Sequence, residues 1–334
     1  YFNSEHEAQF TALYGRNRAL IHLSSSNCTM FLFGFLRFPC CIPRNVNTDS
    51  RNGLTMMLPP LIFAHRGAMA YRPQNTLPAF ELAWSMGAHG VELDVQCTRD
   101  GEVVVFHDDT LDKLTHGTGR VRDYDAAELM TLDAGAHFSA EYAGERIPTL
   151  AQVLRACPLG RWVNIELKTE LLDATPEQLN QRHTNGHPIL MRAPESAVEI
   201  EAKRIAQRTA EVIDHLRAEI ADLAEHLIVS SFHPVAIETF AQLCPDIAVA
   251  YLYSTSLYHD TEPLMNSMSA VQLSALHLDA QDATRETIIQ AHQKGLQVRV
   301  WTVNDVAQAH TLIRWGVDGL FTNVPDVMLK QLNR

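Results

Sequence analysis

The sequence contains no apolar stretch of the roughly 20 residues that a helix needs to cross a bilayer. Its best apolar run, Met30–Phe38, is interrupted by Gly34 and Arg37. An excess of basic residues is also missing, because 27 Lys and Arg face 39 Asp and Glu, which gives a formal net charge of -12. We therefore expect no stable membrane insertion and no broad nucleic-acid binding, since nucleic-acid binders are normally basic.

The six cysteines form no CxxC pair. This spacing is not that of a disulfide framework or a structural zinc site. A reducing, cytoplasmic location is the simplest interpretation. Serine or cysteine nucleophile motifs are missing too, so catalysis, if present, is expected to use other groups.

The first 55 or so residues lack sustained helical or strand periodicity. We predict that residues 1–57 are an extension, disordered or not native to the protein, and that residues 58–334 form the single functional domain. Translation would then start at Met56 or Met57. The alternative is a small accessory segment that packs on the domain.

From residue 61 onward, short β-branched runs alternate with helical stretches, a pattern typical of βα units around a parallel sheet. Eight such strands close a (β/α)8 barrel of the α/β class. Helices are predicted between them over Thr76–Met86, Ala197–His226, Arg285–Lys294 and Val306–Trp315. The predicted strands are Leu61–His65, Gly90–Gln96, Trp162–Leu167, Leu227–Ser231, Ile247–Tyr251, Ala275–Leu278, Gln297–Thr302 and Gly319–Thr322.

One further apolar run, Val103–Phe106, follows the second strand too closely for a parallel crossover. Asp100-Gly101 between the two runs is a hairpin signal. We therefore predict a small antiparallel hairpin, followed by a helical insertion over Asp108–Pro148. A second irregular stretch, Glu170–Pro194, is predicted to be an exposed loop.

The hairpin would bring His107 beside Glu92 and Asp94. Strand alternation puts these two carboxylates on one face, where they repel each other unless a cation or proton lies between them. His65 ends the first strand, at the barrel edge that carries active sites. Of two histidines on opposite sides of a phosphodiester, one can act as general base and the other as general acid. A surface loop is the structural alternative for His65.

On the third strand, alternation puts Asn164, Glu166 and Lys168 on one face. Glu166 could complete a metal site of oxygen ligands, which suits Mg²⁺ or Ca²⁺, and Lys168 could offset transition-state charge. A salt-bridged strand end is the alternative. Trp301 could form an apolar wall for the substrate or simply pack in the core.

Seven short motifs in this order resemble those of the glycerophosphodiester phosphodiesterase family over about residues 61–332. The motifs are His65-Arg66-Gly67, Gln74-Asn75-Thr76, Glu92-Leu93-Asp94-Val95, Val105-Phe106-His107-Asp108, Ile147-Pro148-Thr149-Leu150, Glu166-Leu167-Lys168 and Trp301-Thr302-Val303-Asn304. The resemblance implies a (β/α)8 barrel that hydrolyses glycerophosphodiesters to an alcohol and sn-glycerol 3-phosphate. It assigns acid–base catalysis to His65 and His107.

The resemblance further implies that Glu92, Asp94 and Glu166 bind a divalent metal, Mg²⁺ or Ca²⁺. It assigns Arg66 to a phosphate oxygen and places Lys168 beside the site. Arg66, Lys168 and Trp301 are thus the predicted substrate-binding residues.

Gln74 and Asn75 are predicted to support the site. The family usually has Glu where this chain has Gln74, so the site electrostatics are expected to differ from those of the family. Ser231 and His277 also fall at strand ends, where they could line the pocket or be structural.

Other functions remain open at this stage. One is lysophospholipase D-type hydrolysis of lysolipids, another a lyase that stops at a cyclic phosphate, and a third a catalytically inactive phosphodiester-binding module. The alcohol group, the metal, the attacking hydroxyl and the choice between monomer and dimer are not determined by the sequence.

Overall fold

The computed structural model of the chain describes residues 46–48, 55–57, 59–169, 195–255 and 271–332. Two short strands, β1 (Val46–Thr48) and β2 (Thr55–Met57), pair antiparallel. They fall inside the predicted extension, most of which lies outside the described residues, as does the predicted loop 170–194. The proposed domain boundary at residue 58 therefore stays a prediction.

Eight parallel strands form a closed barrel, as predicted. Neighbouring strands pair in chain order, and the first barrel strand pairs with both the second and the last, which closes the ring. The eight are β3 (Leu61–Ala64), β4 (Gly90–Cys97), β6 (Trp162–Leu167), β7 (Leu227–Ser231), β8 (Ala248–Tyr253), β9 (Ala275–Asp279), β10 (Gln297–Trp301) and β11 (Gly319–Thr322).

The predicted hairpin is confirmed. β5 (Val103–Val105) pairs antiparallel with the end of β4, with Val95 opposite Val105 and Cys97 opposite Val103. Gly101 supplies the left-handed turn, with φ of 89°. The hairpin therefore reverses the chain at the carboxyl edge of the barrel.

The insertion after β5 has little regular helix. It consists of three 3₁₀ turns (Leu111–Lys113, Val121–Asp123 and Ala140–Tyr142) and the short α-helix Ala126–Leu129. These elements surround their own small apolar cluster, which includes Val104, Phe106 and Ile147. The insertion is thus fastened to the strand that leads to His107.

The longer α-helices cover the outside of the barrel. They are Leu77–Ser85, Leu150–Ala156, Glu195–Leu216, Pro234–Leu243, Arg285–Gln293, Val306–Trp315 and Pro325–Leu332. No helix within the described ranges is long and apolar enough to cross a membrane. Alternation along β3 divides the core, because Phe63 packs inside the barrel while Ile62 and Ala64 pack against the helices.

The prediction of one helix over Ala197–His226 was wrong at its end. The helix stops at Leu216, and a separate 3₁₀ turn, Leu223–His226, leads into β7. Both Leu216 and Leu223 are buried, so the apolar pattern continues while the chain turns back toward the barrel. Asp222, with a left-handed φ of 56°, marks that turn.

Candidate active site

The loop after β3 places His65 at the carboxyl edge of the barrel. The His65 N–H donates to the Thr322 carbonyl (2.9 Å). Arg66 and Gly67 then adopt left-handed backbone conformations, with φ of 53° and 78°. A Cβ on Gly67 would lie 2.7 Å from backbone and side-chain atoms of Ala79. Only glycine therefore lets this loop pack against the start of the helix Leu77–Ser85.

Three carboxylates converge beside this loop. Glu92 and Asp94 lie on β4, Glu166 lies on β6, and the register pairs Asp94 with Glu166. One oxygen from each lies within 4.8 Å of the others. Glu92 and Asp94 are only 4% and 1% exposed. The sequence prediction that these three groups share one site agrees with their positions.

Each carboxylate is held by a different neighbour. The Arg66 N–H donates to Glu92 Oε2 (2.9 Å). Asn75 Nδ2 donates to Asp94 Oδ2 (2.8 Å), and the Lys168 ammonium donates to Glu166 Oε1 (3.0 Å). These contacts fix the carboxylates without using all of their oxygens.

Burial and mutual repulsion perturb the acidic groups. Burial, with Asp94 and Glu166 nearby, raises the pKa of Glu92 well above its usual value. Burial also raises the pKa of Glu166, and the Asp94 charge adds to this despite Lys168. The pKa of Asp94 is lowered instead, because His107, Arg66 and Lys168 outweigh its burial. Three buried oxygen donors in this state fit a hard divalent cation, which would relieve their repulsion.

His107 reaches the same site through the hairpin. The Phe106 N–H donates to the Asp94 carbonyl (2.9 Å), and Gln96 Nε2 donates to the carbonyls of Phe106 and Asp108 (3.0 and 2.9 Å). His107 Nδ1 lies 2.8 Å from Asp108 Oδ1. Burial would raise the pKa of Asp108, but the adjacent His107 outweighs it and lowers that pKa.

His65 is held from the last strand of the barrel. Its Nδ1 lies 2.8 Å from Asn323 Oδ1. Burial, followed by the Arg66 charge, lowers the pKa of His65 to about 3. The His65 ring is therefore neutral near pH 7 and its second nitrogen is free to take part in proton transfer.

The other predicted site residues make hydrogen bonds or ring contacts around the three carboxylates and two histidines. Arg66 Nη1 donates to Gln74 Oε1 (2.7 Å), and Arg66 Nε lies 3.4 Å from Asp94 Oδ2. Asn75 also accepts from the Asp94 N–H (3.4 Å). Trp301, partly exposed, donates to the His277 carbonyl (3.2 Å) and meets the Phe232 ring edge-on at 5.7 Å.

Ser231 and His277, offered as possible pocket residues, have structural contacts. Ser231 Oγ donates to the Leu167 carbonyl (2.8 Å) and accepts from the His233 N–H (3.1 Å). His277 is buried against Phe321 and lies 3.4 Å from Arg299 Nη1. These contacts favour the structural alternative for both residues.

Sequence reasoning missed Asp108 and Asn323, which contact the two histidines, and Asn304, whose Oδ1 accepts from the Asn323 N–H (2.8 Å). Asp108 stands next to His107 in the chain, and that adjacency was the available signal. Asn304 is the last residue of the motif Trp301-Thr302-Val303-Asn304, in which only Trp301 was given a role. Asn323 follows the last strand and carried no signal of its own.

Comparison with known proteins agrees with this geometry. The Glycerophosphoryl diester phosphodiesterase family matches residues 65–327. The chain belongs to this family. A glycerophosphodiester phosphodiesterase of Caldanaerobacter subterraneus is 30% identical over 275 residues, which cover 82% of this chain and 98% of the relative. One from Bacillus altitudinis is 32% identical over 273 residues, or 80% of this chain and 96% of the relative.

A solved structure extends the likeness to the fold. A phosphodiesterase from Oleispira antarctica, in complex with the product sn-glycerol-3-phosphate, has a TM-score of 0.67 and 27% identity. The match covers 83% of this chain and 98% of that one. The family and enzyme class predicted from the sequence, glycerophosphodiester phosphodiesterase, are confirmed by these matches.

Proposed function

We propose that the chain hydrolyses glycerophosphodiesters to an alcohol and sn-glycerol 3-phosphate, with a divalent metal and two histidines. The proposal depends on one observation: the loops that carry the two histidines, after β3 and β5, both reach a cluster of three carboxylates, of which Glu92 and Asp94 are buried and Glu166 is partly buried. The product bound to the Oleispira antarctica relative supports a small-molecule substrate of this class.

Glu92, Asp94 and Glu166 would hold the metal, Mg²⁺ or Ca²⁺. When bound, such an ion polarises a phosphoryl oxygen and offsets developing negative charge. Arg66 and Lys168 add positive charge beside the triad. Trp301 would cover the apolar part of the substrate.

The hydrogen bonds of the two rings suggest how they divide the proton transfers. The Asn323 oxygen lies 2.8 Å from Nδ1 of His65, so a proton on Nδ1 would be hydrogen-bonded there and Nε2 would present its lone pair as general base. Asp108 Oδ1 lies 2.8 Å from Nδ1 of His107 and would accept a proton from it, so Nε2 of that ring would carry the proton for the leaving oxygen.

In this scheme a hydroxyl oxygen attacks phosphorus while its proton passes to His65. The bond between phosphorus and the alcohol oxygen breaks, and that oxygen takes its proton from His107. The attacking hydroxyl comes from water, or from the substrate's own glycerol. In the second case a cyclic phosphate forms first and water then opens it.

The test is a panel of glycerophosphodiesters and lysolipids, assayed for release of glycerol 3-phosphate with Mg²⁺, Ca²⁺ or EDTA. We expect glycerophosphodiesters to be the better substrates and EDTA to abolish turnover. His65→Ala and His107→Ala should each lower kcat by about 100-fold to 10,000-fold. The exposed His310, in the helix Val306–Trp315, gives the matched control His310→Ala, which should retain full activity.

Several outcomes would redirect the proposal. Preference for lysolipids would favour a lysophospholipase D, and persistent cyclic phosphate in ³¹P NMR would favour a lyase. Near-normal turnover by either histidine variant would refute the two-histidine scheme. Failure to bind any divalent ion in calorimetry, with no turnover, would favour an inactive binding module.

A further inference from the structure

His65 is also contacted by residues near the C-terminal end of the sequence. Beyond the 2.8 Å contact between His65 Nδ1 and Asn323 Oδ1, the His65 N–H is bound by the Thr322 carbonyl (2.9 Å). Thr322, the last residue of β11, therefore holds the backbone of His65, and Asn323, which follows it, holds the ring. This follows from barrel closure, which pairs Ala64 with Thr322.

Asn323 is itself fixed by Asn304. Asn304 Oδ1 accepts from the Asn323 N–H (2.8 Å) and from the Thr322 hydroxyl (3.2 Å). The Asn323 carbonyl in turn accepts from the Ala70 N–H (3.3 Å). The backbone at residue 323 is therefore held on both sides, which leaves its side chain little freedom to move away from the ring.

We propose that Asn323 is a positioning residue that sets the tautomer and orientation of His65, and that Asn304 holds Asn323 in place. An amide oxygen can only accept a hydrogen bond, so the neutral His65 ring must carry its proton on Nδ1. Its Nε2 then presents a lone pair to the site. This inference rests on the proposed catalytic role of His65.

The chemistry of asparagine fits this role. An amide holds the Nδ1 proton without adding a charge, whereas a carboxylate would add another anion to a site that already contains three acidic groups. Turning the amide over would aim Nδ2 at the ring and force the opposite tautomer. The two orientations therefore make opposite predictions, which one spectrum distinguishes.

The experiment uses the full chain with ¹⁵N-labelled histidine and long-range ¹H–¹⁵N spectra of the imidazole rings. In the wild type we expect His65 in the Nδ1–H form. Asn323→Asp, which offers only acceptor oxygens, should keep that form, and Asn323→Ala should give a mixture. His292, whose Nε2 lies 2.9 Å from Asp318 Oδ2, is the internal reference and should not change.

Kinetics provide the second measurement. Asn323→Ala should lower kcat by about 100-fold, the usual effect of misplacing a reacting group by about 1 Å, with little change in KM. Asn304→Ala should act in the same direction but more weakly. Asn323→Asp should recover most of the lost kcat, since it restores the acceptor. Unchanged thermal unfolding would show that each variant folds.

An Nε2–H tautomer in the wild type would overturn the inference, as would wild-type kcat in Asn323→Ala. These failures are separable from failure of the proposed function. If His65→Ala is inactive while Asn323→Ala has a wild-type tautomer and turnover, only the positioning role is refuted. If His65→Ala is fully active, the catalytic role itself is refuted, whatever the tautomer.

Discussion

Replacing Glu92 with Gln should stabilise the metal-free protein and strongly weaken its stabilisation by metal. Glu92 is buried beside two other carboxylates, with donor oxygens within 4.8 Å of one another. Two unit charges at that distance repel by about 3 kcal/mol at an effective dielectric constant of ~20. The nearby cations of Arg66 and Lys168 offset part of this, so we expect a gain of about 2 kcal/mol from the neutral side chain.

Glutamine can keep the backbone hydrogen bond that Glu92 accepts. The Arg66 N–H donates to Glu92 Oε2 (2.9 Å), and an amide oxygen can accept the same bond. The substitution therefore removes a charge from the site and keeps the Arg66 N–H paired.

The pH dependence has a definite sign. Because the pKa of Glu92 in the folded state is raised above its unfolded value, folding takes up a proton. Stability of the metal-free wild type should then fall as pH rises from about 4 through the raised folded pKa. Glu92→Gln removes this contribution, so its advantage should be present near pH 8 and should shrink toward pH 4.

Thermal unfolding in EDTA and in excess Mg²⁺ or Ca²⁺ tests the reasoning. Without metal at pH 8, Glu92→Gln should melt about 4 °C above wild type. An ion at 100 times its Kd should stabilise wild type by about 2.7 kcal/mol and the variant far less. The exposed Glu81 gives the control Glu81→Gln, which should respond to metal as wild type does. A metal-free Glu92→Gln no more stable than wild type would refute the repulsion argument, and an equal response to metal would remove Glu92 from the ligand set.

Three further changes probe the surrounding residues. Asp108→Ala should lower kcat by at least about 10-fold with a smaller effect on KM, because His107 loses the acceptor for its Nδ1 proton. Steady-state kinetics measure this effect, and an unchanged kcat would contradict it. Gly67→Ala should lower the free energy of unfolding, measured in urea, by more than about 1 kcal/mol, since φ at Gly67 is 78° and the new Cβ would clash with Ala79. A smaller loss of stability would mean that the loop can shift. Gln74→Glu adds a negative charge near the triad and should tighten divalent-ion binding by about 5-fold in calorimetry, whereas weaker binding would contradict the direction.

Local periodicity was enough to predict the barrel strands and the shared face of Glu92 and Asp94. Alternation along β4 puts Glu92 and Asp94 on one face whatever the rest of the chain does. The Asp-Gly turn reverses the chain at a fixed distance from β4, and so predicted where His107 would lie. These predictions depend on neighbours within about 20 residues, for which sequence patterns are informative.

The contacts that hold the histidines depend on distant parts of the chain. His65 and Asn323 are 258 residues apart, and they meet only because the eighth strand closes against the first. Eight strands imply that closure but do not say which side chain at the end of β11 will contact the ring. The end of the helix at Leu216 was missed for a related reason. The spacing of apolar residues continues through the turn, so periodicity alone does not indicate where the helix ends.

The loop after β3 connects two of the proposed metal ligands to His65. Residues 65–76 supply His65, the Arg66 N–H that binds Glu92 and the Asn75 amide that binds Asp94. This loop is closed on itself, because the Asn75 N–H donates to the Arg66 carbonyl (3.0 Å). Arg66 holds a left-handed φ of 53°, a conformation that costs a non-glycine residue about 1–3 kcal/mol and persists only where its surroundings enforce it. Because the same loop fixes two of the proposed metal ligands and the proposed catalytic His65, a displacement of the loop that moves the carboxylates must also move the ring. Metal binding and proton transfer are therefore expected to be lost together.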